Sequence, residues 1–318
     1  MVAAASLRIV VFGTPAFAVP TFDALLGSRH QVVGVVTQPD RPRGRGQKAT
    51  AGPVKARAAA VAIPILQPER LKDQTFLEAL SALRADLGVV AAYGKILSES
   101  VLAAPRLGMI NVHASLLPRH RGAAPVHRAI IAGDTETGVT IMRVVKALDA
   151  GPMLARVTRT IGPDDTSEEV EHDLAAKGAA LLVTAVDALA EGRARETPQI
   201  DAEATYAHRL TKEEGLVDWG RPAAAIHNQI RGLHPWPHAF TFARGQRLIL
   251  HRSGRSASGR SALPGTVLEA AGDRLVVGTG DGSLDLLIVQ VEGKRPMTAR
   301  DFLAGHQLVP GERFTVGI

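Results

Sequence analysis

The sequence predicts a two-part protein: a doubly wound α/β domain with a parallel sheet, followed by a small antiparallel β-barrel. Three observations carry this. Short Val- and Ile-rich runs alternate with helical stretches through the first half of the chain, the pattern of parallel strands joined by helical crossovers. Beyond about Leu210 the texture changes to short strands separated by Gly-rich turns. And 318 residues exceed one ordinary domain while suiting two.

Leu7 to Gly13 reads as a buried strand ending in the turn Gly13-Thr14-Pro15, with a helix from Pro20 to Leu26 behind it. Gln31 to Thr37 and Leu87 to Ala92 are further strands. Gly52 to Val61 and Leu71 to Leu83 have helical periodicity. Asn111-Val112-His113, after Gly108-Met109-Ile110, is another strand end, and Val139 to Val145 is a strand. Ala123 to Ala132 reads as a helix. Ser167 to Leu189 reads as a long one, opened by Thr166 or Ser167 with acids in its first turn. Polar residues from Glu191, broken by Gly192 and Pro198, form a linker. The expected organisation is a first domain over 1–190, a linker over 191–209 and a barrel domain over 210–318. In the last, a helix at Ala223 to Arg231 precedes strands at Thr241-Phe242, Arg247 to His251, Gly265 to Glu269, Arg274 to Gly278 and Leu284 to Val291.

Composition narrows the function. Apolar residues make up 46% and aromatics 4%, so the cores should be aliphatic. There is no cysteine, which removes disulfides, thiolate metal sites and cysteine nucleophiles together. The apolar runs are strand-length and Met1 to Ser6 is far too short for a signal peptide, so a cytoplasmic protein without membrane contact is expected. The formal net charge of +6 suits an anionic partner and equally suits a merely basic soluble chain. The turn after the first strand lacks Gly-x-Gly-x-x-Gly, which argues against a dinucleotide.

The densest polar cluster is Asn111-Val112-His113-Ala114-Ser115-Leu116-Leu117-Pro118. Strand alternation puts Asn111 and His113 on one face. There an amide N–H and a protonated imidazole could both donate to a developing oxyanion. The same residues fit a satisfied core histidine beside a turn asparagine. Asp149, in Ala147-Leu148-Asp149-Ala150-Gly151-Pro152, offers a carboxylate to orient His113, or simply starts a turn. Histidines at 113, 120 and 127 are evenly spaced, but Pro118, Gly122 and Pro125 interrupt any helix between them, and no metal is expected.

Charge is concentrated in two places. Gln38 to Arg57 holds Arg41, Arg43, Arg45, Lys48, Lys55 and Arg57 against the single acid Asp40. Its centre has no apolar residue and reads as a flexible loop at a strand's carboxyl end. Arg221 to Arg260 has seven arginines, four histidines and no acid, a composition that favours a phosphate backbone over a solvated face of mixed sign. Trp236 would stack on a base or, between prolines, pack as a rigid anchor. Loop and second domain together suit a folded nucleic acid gripped at two places; a phosphorylated small molecule also fits the loop.

Those residues, with Arg121-Gly122-Ala123-Ala124-Pro125, Leu148-Asp149-Ala150-Gly151-Pro152-Met153-Leu154, Phe12-Gly13-Thr14-Pro15 and Thr37-Gln38-Pro39-Asp40-Arg41-Pro42, resemble the methionyl-tRNA formyltransferases from Arg8 onward. The resemblance implies a Rossmann-like formyltransferase domain and an OB-like barrel. It implies transfer of formyl from 10-formyltetrahydrofolate, as co-substrate, to the amino group of methionyl-initiator tRNA in translation initiation, by a monomer. It makes Asn111, His113 and Asp149 catalytic. Ser115, Leu116, Leu117 and Pro118 would line the folate site, bordered by Tyr93 and Gly94. The loop of Arg41, Arg43, Arg45 and Lys48 would meet the tRNA acceptor end, and Arg244 and Arg247 in the second domain would bind tRNA as well. Gln47 and Lys146-Ala147 depart from the pattern at positions outside the trio. Two rivals share part of these signals: a folate-dependent formyltransferase acting on a small nucleotide amine, and a non-catalytic RNA-binding protein.

Overall fold

Runs such as RIVVFG and QVVGVV put β-branched side chains on both faces, which only a strand covered on both sides can bury. They form β1 (Arg8–Gly13) and β2 (Gln31–Val36), each buried after its first residue. Between them, α1 (Ala18–Leu26) buries Ala18, Thr21, Phe22 and Leu25, a helical stripe. The computed structural model describes residues 6–43, 48–256, 263–315 and 317. It forms two compact units, 1–125 with 137–159 and 171–207, and 126–136 with 160–170 and 208–318.

The first unit continues with β3 (Arg41–Arg43), β4 (Lys48–Thr50), α2 (Pro53–Ala60), β5 (Ile65–Leu66), α3 (Gln74–Ala82), β6 (Leu87–Ala91), α4 (Glu99–Leu102), β7 (Met109–His113) and β8 (Arg121–Gly122). After α5 (Pro125–Ala132) come β9 (Glu136–Arg143), β10 (Met153–Thr160) and α6 (Ser167–Ala190). The sheet order is β10-β9-β7-β6-β1-β2-β5. From β5 to β7 the strands are parallel, and β9 runs antiparallel to β7. The predicted parallel sheet thus carries an antiparallel margin, a common addition because such a strand needs no crossover to reach its place. The carboxyl ends of β1, β2, β6 and β7 open on one edge, where ligands bind in such sheets. Instead of a bare loop, the basic segment contains the β3–β4 hairpin, with Arg43 opposite Lys48; Arg45 and Gln47 lie outside the described residues.

α6 begins at a capping box. Thr166 is the cap, and Glu169 Oε2 accepts from the Thr166 backbone N–H and from its hydroxyl, both at 2.8 Å. Arg252 donates to the other Glu169 oxygen at 2.6 Å. The Arg252 hydrogen bond, then the Thr166 amide, hold the Glu169 carboxyl down at about 2, against 4.5 ordinarily. Its stabilisation is therefore complete above pH 4.5 and is lost as pH falls from there toward about 2. Glu169→Gln should lower the Tm at pH 7, and the gap to the parent should close over that acid range in thermal melts.

In the second unit, α7 (Ala223–Gly232) is followed by β12 (Ala239–Ala243), β13 (Gln246–Ser256), β14 (Val267–Ala271), β15 (Arg274–Gly278), β16 (Ser283–Val291), β17 (Met297–Thr298) and α8 (Ala299–Gly305), with β11 (Tyr206–Ala207) ahead of them closing the first unit. The sheet runs β12-β13-β16-β15-β14 with β17 on β16. Its alternating inward residues, among them Leu248, Leu250, Leu284 and Leu286, pack with Trp219 and Phe302 into one core. Residues 313–315 bridge both margins of this sheet: Thr315 pairs with Phe242 on β12, and Arg313 with Thr266 beside β14. Trp236 is 48% exposed, so it is not packed as an anchor. Among the described residues no helix is long and apolar enough to cross a membrane.

Candidate active site

All four strand ends that share one edge carry candidate residues. At the end of β1, Thr14 Oγ1 accepts from the Gln38 amide N–H at 3.2 Å, joining the Gly13-Thr14-Pro15 turn to the Thr37-Gln38 turn. Gln38 Nε2 then donates to the Tyr93 carbonyl at 2.7 Å, just past β6. Gly94 has φ +78, a conformation strained for any residue with a side chain, and a Cβ there would also push Gln38 Nε2, 2.8 Å away, off its bond. Tyr93 itself is buried edge-on against Phe12, ring centroids 5.5 Å apart. Burial pushes its phenol up to about 12, and its hydroxyl has no partner among the described residues, so Tyr93 contributes packing rather than proton transfer at neutral pH.

The central strand of the site is β7. Asn111 pairs in register with Val90 on one side and Met142 on the other, and His113 with Thr140. Asn111 is partly exposed, and its side-chain amide makes no hydrogen bond among the described residues. His113 is 5% exposed, with Nε2 3.0 Å from the His120 carbonyl. A carbonyl only accepts, so Nε2 carries the hydrogen and Nδ1 is left to face Asp149. Asp149 Oδ2 lies 3.7 Å from Nδ1, close enough for an ion pair and too long for a hydrogen bond. That same oxygen accepts from the Gly122 N–H at 2.9 Å. The structure thus gathers Asn111, His113 and Asp149 at one place, from segments that the sequence could not show to meet.

The loop from Ser115 to Pro118 is fixed by its own bonds. Thr140 Oγ1 donates to the Ser115 carbonyl at 2.7 Å and accepts from the Leu117 N–H at 3.2 Å, while Ser115 Oγ donates to the Arg119 carbonyl at 2.6 Å. Leu117 is fully buried against Met142 and Met153, and Pro118 is buried too. The side chains of Leu117 and Pro118 point into the protein, leaving backbone and the half-buried Leu116 as the surface this loop can offer a ligand.

Residues without an assigned role support this frame. Gln199 Nε2 donates to the carbonyls of Asp149 and Gly151, both at 2.8 Å. Arg121, 4% exposed, reaches Gln199 Oε1 at 3.0 Å and Asp201 at 2.7 Å. Thr205 takes the backbone N–H of His120 and of Arg121, and β11 pairs with β8. The polar stretch expected to be a linker is therefore stitched to the Asp149 and His120 loops over 199–207. Its composition gave no sign of this, since a glutamine reads alike in a tether and in a frame.

The basic candidates differ in their surroundings. Arg41 is exposed. Lys55 pairs with Asp40 and Arg57 with Asp23 at 2.7 Å, so part of that cluster is neutralised within the fold. Arg244 grips Glu312 with two nitrogens. Arg247 meets Glu292 at 2.8 Å and lies over the Phe240 ring.

A formyl transferase profile matches residues 7–186, and a formyl transferase C-terminal domain profile matches 209–307. Curated methionyl-tRNA formyltransferases are similar along nearly the whole chain. That of Moorella thermoacetica is 45% identical over 96% of this chain and 98% of its own length. That of Roseiflexus castenholzii is 48% identical over 97% and 99%. The chain belongs to the formyl transferase family. Among solved structures, WlaRD, a sugar 3N-formyl transferase in the presence of dTDP and 5-N-formyl-THF, aligns over 91% of this chain and 99% of its own with a TM-score of 0.67 at 16% identity. HypX from Aquifex aeolicus, in complex with tetrahydrofolic acid, aligns with a TM-score of 0.65 at 16% identity, and this chain spans 47% of it. Those two share the fold of this formyl transferase.

Proposed function

We propose that this protein moves the formyl group of 10-formyltetrahydrofolate onto the α-amino group of methionyl-initiator tRNA. The observation that carries the reading is the 45–48% identity, over nearly the full length, to curated methionyl-tRNA formyltransferases. The unpaired Asn111 amide beside His113 and Asp149 gives that chemistry a place, and the backbone of 115–118 suits the folate.

The neutral amine attacks the formyl carbon, and the C=O electrons move onto oxygen. Asn111 and a protonated His113 donate to that oxyanion, with Asp149 offsetting the imidazolium charge. The attacking nitrogen gives up a proton, N10 gains one with Asp149 assisting, and the C–N10 bond breaks. Formylated methionyl-tRNA and tetrahydrofolate leave.

Arg41 and the Arg43 and Lys48 pair of the β3–β4 hairpin, with Arg45, contact tRNA phosphates in this proposal, as do Arg244 and Arg247. The ion pairs of the last two do not oppose this. Exposed pairs contribute little to stability, so a phosphate can compete for the guanidinium. Arg41→Ala should weaken tRNA binding, lower the slope of log K against log salt by about 1, and leave folate affinity alone, as read by filter binding across a salt series. The reading as a whole is tested by offering 10-formyltetrahydrofolate with methionyl-initiator tRNA or with glycinamide ribonucleotide. Formylation of the ribonucleotide in preference to the tRNA, or of neither, overturns it.

A further inference from the structure

Three histidines far from the catalytic trio in sequence converge in the second unit. His234 and His238 sit on the turn after α7, and His251 lies within β13. Their ring centroids are 4.5 Å (238 to 251), 5.4 Å (234 to 238) and 6.1 Å (234 to 251) apart. One ring nitrogen from each lies within 4.8 Å of the other two, and among the described residues no other group of histidine or acidic side chains converges so.

We propose that His234, His238 and His251 are the ligands of a divalent transition-metal site of the zinc type.

The hydrogen bonding points to this. His251 Nε2 meets Gln290 Oε1 at 2.8 Å and His234 Nε2 meets Glu168 Oε2 at 3.2 Å. Both partners are acceptors, so each Nε2 carries the hydrogen and each Nδ1 bears the lone pair. The Nδ1 atoms of His234 and His238 are buried and have no partner among the described residues. A buried polar atom left unpaired is costly, and a fold that leaves two of them within one histidine cluster lacks something that would accept their lone pairs. Anchoring the second ring nitrogen on a carboxylate or amide oxygen is how metal-ligating histidines are oriented.

The backbone adds a second sign. His238 has φ +67, a conformation glycine adopts without strain and a histidine does not. Imidazole suits zinc, copper, iron and nickel, and three neutral rings leave a fourth position for water. Metal–nitrogen bonds of about 2.0–2.1 Å place tetrahedral nitrogens about 3.4 Å apart, so the rings must draw in by roughly 1 Å. A bound ion would tie the 233–238 turn to the sheet.

This inference does not depend on the formyl-transfer reading. The untagged full chain, stripped with a chelator, is titrated with zinc chloride alone by calorimetry and melted with and without it. We expect one equivalent to bind and the Tm to rise by several degrees, both effects being lost in His238→Gly. Glycine removes the backbone strain, so this variant should fold at least as well as the parent without zinc. Should it fail to fold, His251→Gln carries the same comparison. No saturable binding in the parent, or stoichiometric binding with an undiminished Tm shift in the folded variant, overturns the proposal.

Discussion

Asn111→Ala is expected to reduce kcat by about 10²–10³-fold, the cost of removing one oxyanion donor, with a much smaller change in KM. Among the described residues the Asn111 amide has no hydrogen-bond partner, and its backbone is fixed in register between Val90 and Met142. Truncation therefore removes the donor without dismantling anything. His113→Ala should fall in the same range, but its Nε2 also tethers the His120 carbonyl, so the surrounding loop loosens as well. If both groups act on one oxyanion, the double variant should lose less than the product of the two single losses. Steady-state formylation assays and folate titration of each variant read this out. Turnover within a few-fold of the parent in either single variant would remove that residue from the mechanism.

Gly151→Ala should be the most damaging one-carbon change near the site. A Cβ there would stand 1.9 Å from the Arg143 carbonyl oxygen and 2.8 Å from its carbon. Backbone cannot swing aside as a side chain can, so the loop between β9 and β10 must move, and Asp149 with it. Overpacking of this kind costs about 1–3 kcal/mol. A displacement near 1 Å at a catalytic group can cost roughly 10²-fold in rate. The two effects separate in one experiment: a lowered Tm reports the first, and kcat measured well below that Tm reports the second. A variant with parental Tm and kcat would mean that the loop has slack that its tight approach to Arg143 denies.

Much of the first unit is legible because its signals are local. Arg8–Gly13, Gln31–Val36 and Leu87–Ala91 are continuous apolar runs, and a strand buried on both faces has to be one. The Thr166 cap could be read from Thr-x-x-Glu before a helical stripe. The trio was legible only as residue types. That Asp149 comes within 3.7 Å of His113 depends on β9 folding back beside β7, and strand direction leaves no trace in a short apolar segment. β10 escaped notice because Met153–Thr160 has two arginines and an exposed face. The acid-free run from Arg221 to Arg260 teaches the opposite lesson. Glu169, Glu292 and Glu312 come from outside it to meet Arg252, Arg247 and Arg244, so a stretch without acids is not a surface without them. The convergence of His234, His238 and His251 was likewise invisible, since β13 brings the third ring from another element.

The stitching of residues 199–207 to the Asp149 and His120 loops bears on how chimeras of this family should be built. A splice at residue 191, where composition turns polar, would import a foreign Gln199, Asp201 and Thr205 and so rewrite the supports of Asp149, Arg121 and His120. A splice just after Ala207 keeps that frame native. Two hybrids differing only in those sixteen or so residues would then differ in turnover even with identical catalytic trios.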